Sequence, residues 1–140
     1  MANESVAVMN RLEYFEARLE ATITPVEVLK LLKTHSESIC VVDIRNGSAK
    51  LLGDRVPDAL QIPQNVILLH TGRLPKDRIL VLYCWDTWCR LAAEPAVPLL
   101  ERGFDVREMY GGMRAWKTLK FPRELVDSEA LAGQHEPLAV

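Results

Sequence analysis

Two short runs constrain this chain more than any other feature. They are Ile39-Cys40-Val41-Val42-Asp43-Ile44 and the stretch from Arg78 to Tyr83, with Ile79-Leu80-Val81-Leu82 at its centre. Side chains along a strand point alternately to opposite faces, so a strand with one wet face alternates apolar and polar residues. Here nearly every position is apolar, which predicts strands buried on both faces. Strands of that kind belong to parallel sheets covered by helices on both sides. The segments between the runs carry helical signals, so the expected fold is α/β with a central, mostly parallel sheet.

Val8, Leu12, Phe15 and Leu19 recur at helical spacing and predict an amphipathic helix over 6–20. Its apolar stripe suits either the domain's own surface or a partner, a homodimer seam included. Thr24-Pro25-Val26-Glu27 reads as a compact helix start, with Thr24 as cap, Pro25 at the first position and Glu27 closing a capping box. That helix should run to Lys33. Further on, residues 59–62 predict a brief strand ended by Pro63, and 64–70 a short helix stopped by Thr71-Gly72. A helix is expected over 90–102, where Pro95 fits the first turn and Pro98 should kink or end it. Gly103 closes that helix and 106–109 is a further strand. Gly111-Gly112 then turns the chain into a last helix over 113–119. The expected organisation is an amino-terminal helix over 1–22, an α/β domain over 23–124 and a tail over 125–140, loosely held from Ser128.

At 140 residues the chain is long enough for one well-buried core. Its formal charge of −2, with no basic stripe, points away from nucleic acid and from membrane surfaces. No apolar run approaches the roughly 18–20 residues of a membrane span. Met1-Ala2-Asn3-Glu4-Ser5 lacks the pattern of a secretory signal, and three cysteines do not suit a disulfide framework. A cytoplasmic setting is the expectation.

Cys84 stands where the second apolar run ends, followed by Trp85-Asp86-Thr87-Trp88-Cys89-Arg90 and a stretch of helical character. Ligands of parallel α/β sheets bind beyond the carboxyl ends of the strands. The free N–H groups and positive dipole end of a following helix favour an anion there, and a thiolate is one. In such surroundings a cysteine's pKa falls to about 3.5–7.5 from an ordinary value of about 8.5. Cys84 is therefore the candidate nucleophile.

Four blocks now combine: Val41-Val42-Asp43-Ile44-Arg45, Val56-Pro57-Asp58-Ala59-Leu60-Gln61-Ile62-Pro63, Val81-Leu82-Tyr83-Cys84 and Tyr110-Gly111-Gly112-Met113-Arg114-Ala115-Trp116. In this order and spacing the chain resembles a single-domain rhodanese, from about Thr24 to Pro122. The resemblance implies a sulfurtransferase. Its cysteine takes a sulfane sulfur from a small donor such as thiosulfate or a persulfide, and passes it to a thiol or a carrier protein. By position, Cys84 is the nucleophile and Trp85, Asp86, Thr87, Trp88 and Cys89 form its backbone cradle; no cofactor or metal is implied. The usual loop has an arginine early and another five residues after the cysteine, where this chain has Trp85 and Cys89. The loop looks more like a smaller subgroup with Cys-Trp-x-x-x-Cys, whose Tyr-Phe-Glu-Ala-type amino-terminal helix is resembled by Tyr14-Phe15-Glu16-Ala17. Without loop arginines a thiosulfate dianion lacks its usual positive partners, for which Arg90 compensates in part. Arg55-Val56-Pro57-Asp58 also replaces the common His-Ile-Pro-Gly.

Other readings stand beside this one. Cys84, five intervening residues and Arg90 reproduce the Cys-x5-Arg loop of cysteine phosphatases and arsenate reductases on the same fold. A non-catalytic redox-sensing or binding module is a third. Cys89 is either passive at the helix start or a resolving thiol that leaves an internal disulfide. Two cysteines without further ligands make a poor zinc site. Trp85 and Trp88 either pack on the domain or frame an apolar vestibule. Asp43 and Arg45 are expected to fix loops by hydrogen bonds, and Cys40 to belong to the core. Gly111, Gly112 and Trp116 read as turn and packing residues, and His35, His70 and His135 have no motif around them.

Overall fold

A long helix, α1 (Ala2–Ala21), leads into a short strand, β1 (Thr22–Ile23), and helix α2 (Pro25–Thr34). Then follow β2 (Ile39–Asp43), α3 (Ala49–Leu52), β3 (Asp54–Arg55), β4 (Leu60–Gln61) and β5 (Ile79–Tyr83). The chain continues through α4 (Ala93–Glu101), β6 (Asp105–Met109), α5 (Gly112–Thr118) and β7 (Glu124–Leu125). The computed structural model describes residues 2–126, with side chains described for Val8 and from Asn10 onward. The tail expected from Ser128, and His135, lie outside the described residues.

The two apolar runs lie side by side. β2 and β5 pair in parallel from Ile39 opposite Ile79 to Asp43 opposite Tyr83, at the centre of a five-stranded sheet of order β1-β6-β5-β2-β4. All its pairings are parallel. Alternation along the central strands feeds two cores. Val42, Ile44, Leu80 and Leu82 pack with Leu99 of α4 and with Phe104. Ile39, Val41, Val81 and Tyr83 pack with Val28 of α2 and with Met113 and Trp116 of α5. Both faces are thus dry, which is why the strands read as unbroken apolar runs.

Thr24 caps α2 as expected: its Oγ1 accepts the Glu27 N–H at 3.2 Å, and Pro25 occupies the first turn. The Glu27 carboxylate accepts from the Thr24 hydroxyl, at 3.0 Å, rather than from the cap's N–H. Three expectations are corrected. The 64–70 segment forms no α-helix but two 3₁₀ turns, Ile67–Leu69 and Thr71–Arg73, so Thr71-Gly72 lies inside the second turn. α4 starts at Ala93 rather than at Arg90, which lengthens the loop before it. Of the two effects expected of Pro98, an early end is overturned: α4 runs on to Glu101 and closes with the Arg102 N–H on the Pro98 and Leu99 carbonyls, both at 3.1 Å. An interior proline costs a helix about 3 kcal/mol, and the full burial of Leu99 just beyond it works against that cost.

β7 was not foreseen. It pairs antiparallel with β3, tied by Arg55–Glu124 at 2.8 Å and Arg123–Asp54 at 3.1 Å, and Val126 is buried beyond it. The packed chain therefore continues past residue 124. α1 meets the domain at its carboxyl end, where the Arg18 guanidinium stacks over the Tyr110 ring at 5.1 Å. Its stripe is not covered by the domain: Val8, Leu12, Phe15 and Leu19 are 53%, 49%, 52% and 78% exposed. Among the described residues no helix is long and apolar enough to cross a membrane.

Candidate active site

β5 runs down the middle of the sheet, and Cys84 is the first residue beyond its carboxyl end. The cysteine is 3% exposed and packs with Ile44, Ile62 and Ala92 on the α4 side. Residues 85–92 form the loop that joins β5 to α4. Asp86 shapes its tip. The Asp86 carboxylate accepts the Trp88 N–H at 2.9 Å and its carbonyl accepts the Cys89 N–H at 3.4 Å, so the chain doubles back. That turn brings Cys89 to Cys84, and the two sulfurs are joined in a disulfide with the Cα atoms 6.2 Å apart.

The loop is held from below by a helix that sequence reasoning did not connect with it. The helix whose first N–H groups reach the Cys84 backbone is α5. Met113 N–H donates to the Cys84 carbonyl and Arg114 N–H to the Trp85 carbonyl, both at 2.9 Å. Gly112 makes that approach feasible. It sits at φ +59°, and a Cβ there would overlap the Cys84 carbonyl oxygen and come within 2.9 Å of the Trp85 carbonyl carbon. The N–H groups of Trp85, Asp86 and Thr87 have no acceptor among the described residues.

Behind the loop lies a buried polar knot. Arg45 and Asp43 are both fully buried, and Arg45 donates through Nε to Oδ1 at 2.9 Å and through Nη2 to Oδ2 at 2.6 Å. The same guanidinium donates to the carbonyls of Leu52 at 3.3 Å and Asp54 at 2.6 Å. The Tyr83 hydroxyl donates to Asp43 Oδ2 at 2.8 Å and accepts the Val56 N–H at 3.1 Å. Trp85 closes the knot from the loop side, its ring 4.6 Å from the guanidinium carbon. Burial opposes the Arg45 charge, but the hydrogen bonds and charge of Asp43 outweigh it and raise the pKa further. Burial, followed by the Asp43 charge, pushes the Tyr83 phenol well up, so it stays protonated. Asp43 and Arg45 thus tie β2 to the α3–β3 segment and to the base of the loop.

A family model described as "Rhodanese-like domain" matches residues 24–119, which span both helical faces, the central strands and the whole loop. The chain belongs to the rhodanese-like family. A curated protein named "Sulfurtransferase" from Allochromatium vinosum is 33% identical over 82 residues, covering 58% of this chain and 74% of that one. An HTH-type transcriptional regulator from Mycobacterium tuberculosis is 27% identical over 114 residues, 81% of this chain; the rhodanese-like chain spans only 48% of that relative. Among solved structures, a full-length protein from Lactobacillus plantarum superposes with a TM-score of 0.79 at 25% identity, covering 84% of this chain and 98% of the other.

Within this rhodanese-like domain the remaining candidates separate. Trp85 is half-buried against Leu52 and Val126, whereas Trp88 is 82% exposed at the loop tip, so the two do not frame one vestibule. Thr87 is exposed, and the Arg90 side chain is exposed just before α4. A shallow groove of about 400 Å³ runs beside the loop, lined by Asp86, Thr87, Gly111, Arg114, Ala115 and Leu119. Arg114 thereby joins the site. Cys40 is the free cysteine among the described residues, half-buried against the core and facing a larger cavity of about 510 Å³ that the active loop does not line. Burial pushes its thiol pKa up, with Arg78 acting against that. His35 is exposed beside Thr34, and His70 is buried. Among the described residues no cluster suited to a metal ion occurs.

Proposed function

We propose that this domain is a sulfurtransferase that carries sulfane sulfur on Cys84. The observation that carries the reading is the placement of Cys84: the first residue past the central strand, shielded by core, in a loop held by α5. The family and the sulfurtransferase relative support it. In the reduced form, the Cys84 thiolate attacks the outer sulfur of a persulfide or of thiosulfate. The S–S bond of the donor breaks, and a thiolate or sulfite leaves with its electron pair. The loop N–H groups of Trp85, Asp86 and Thr87 are the donors proposed to hold the charge. An acceptor thiolate then takes the outer sulfur and frees Cys84. The exposed indole of Trp88 at the loop mouth favours a thiol borne by a larger molecule. A reducing compartment, the cytoplasm, keeps such a thiol available.

The test is sulfide production from thiosulfate or glutathione persulfide with dithiothreitol as acceptor. The wild type should exceed Cys84→Ser by at least about a hundredfold, the scale of losing a nucleophile. Equal rates would overturn the proposal.

A further inference from the structure

Cys84 and Cys89 are placed for more than carrying sulfur outward. The strand end and α5 fix the Cys84 backbone, and the Asp86 turn fixes that of Cys89. Their Cα separation of 6.2 Å falls inside the range that a disulfide spans, about 4.4–6.8 Å. Cys84 is 3% exposed while Cys89 is only part-buried, so Cys89 lies on the solvent side of the buried sulfur. An external thiol reaches the outer sulfur of a persulfide on Cys84 more readily than the inner one. Cys89 alone is positioned against the inner sulfur: Cys40, the free cysteine among the described residues, is on β2 beside a different cavity.

We propose that Cys89 resolves the Cys84 persulfide, making the domain a sulfane-sulfur reductase that releases hydrogen sulfide. This rests on the sulfurtransfer reading above. The Cys89 thiolate attacks Cys84 Sγ, the bond from Sγ to the outer sulfur breaks, and that sulfur departs as HS⁻ with the electron pair. The product is the Cys84–Cys89 disulfide seen in the structure. Over loading and resolution together, one sulfane sulfur is reduced to sulfide and two cysteine thiols are oxidised to one disulfide. A dithiol reductant, itself closing to a cyclic disulfide, reopens the pair for the next turnover. On this route the donor is a persulfide and the co-reactant a dithiol reductant, and the sulfur leaves as sulfide where the transfer route passes it to an external thiol.

The experiment is a single turnover of fully reduced protein with glutathione persulfide and no added reductant. Sulfide and intact mass are followed together, and Cys84→Ser supplies the background. The wild type should release about one sulfide per chain, lose two thiols and show no lasting adduct. Cys89→Ser should release sulfide at least about tenfold more slowly and keep one extra sulfur on Cys84. A wild type that holds its persulfide as long as Cys89→Ser would overturn the resolving role and leave sulfur transfer standing. Wild-type sulfide release no higher than in Cys84→Ser, together with no added sulfur on Cys89→Ser, would overturn both proposals, and that result is distinct from the first.

Discussion

Gly112→Ala is the substitution whose effect the structure sets most directly. Gly112 occupies φ +59°, where a side chain costs about 1–2 kcal/mol. Its new Cβ would meet backbone, with the Cys84 and Trp85 carbonyl carbons each 2.9 Å away, so no rotamer change relieves the overlap. The start of α5 has to back away, and the two 2.9 Å bonds from Met113 and Arg114 to those carbonyls lengthen or break. Each is worth about 1 kcal/mol net. Together the terms give about 3–4 kcal/mol, or roughly a 10 °C fall in melting temperature for a domain of this size. Thermal unfolding is followed with the cysteine pair reduced, alongside Gly72→Ala, where a Cβ meets nothing within 4 Å. Sulfide production, measured well below the melting point, should also fall in Gly112→Ala because the loop has lost its floor. A Gly112→Ala protein that melts within about a degree of wild type would refute the reasoning, since most of the predicted shift would be missing.

The Asp43–Arg45 pair should behave as a unit. Arg45→Met leaves a buried carboxylate without its partner and should cost about 3–5 kcal/mol in urea unfolding, while a double replacement with apolar residues recovers much of that; additive single effects would contradict the pairing. Tyr83→Phe strands the Val56 N–H and takes one of the donors from Asp43 Oδ2, which keeps Arg45, so about 1–3 kcal/mol should be lost, and an unchanged midpoint would count against the knot. Cys40 should label slowly. Its pKa lies above the ordinary thiol value because burial disfavours the thiolate, so iodoacetamide modification should lag an unfolded control at pH 8. Equal labelling at pH 8 would refute that direction.

The parts of this fold that were legible in the sequence are those with redundant signals. β2 and β5 announce themselves because burial on both faces demands apolar side chains at almost every position. α2 is legible because Thr24, Pro25 and Glu27 mark its first turn together. β1, β3 and β7 are two residues each, too short for any period, and exist only through pairing with distant segments. The 3₁₀ turns around Ile67 and Thr71 resemble a short helix in sequence, because the apolar run 66–69 ends in the polar stretch 70–73. At the site, Cys84 is legible from its position after an apolar run. The clamp is not, since nothing near Gly112 in sequence reveals that α5 lands on the loop 28 positions earlier. The polar knot is half legible: Asp43 and Arg45 are two positions apart in sequence, whereas the Tyr83 hydroxyl arrives from 40 positions away.

The central claim is that Cys84 carries the sulfur, and peptide-level mass spectrometry of Cys89→Ser exposed to glutathione persulfide tests it most directly. The account predicts a gain of about 32 Da on the peptide holding Cys84, removed by cyanide and absent when Cys84 is also serine. A Cys84 that alkylates readily yet never gains sulfur from persulfide or thiosulfate would contradict it.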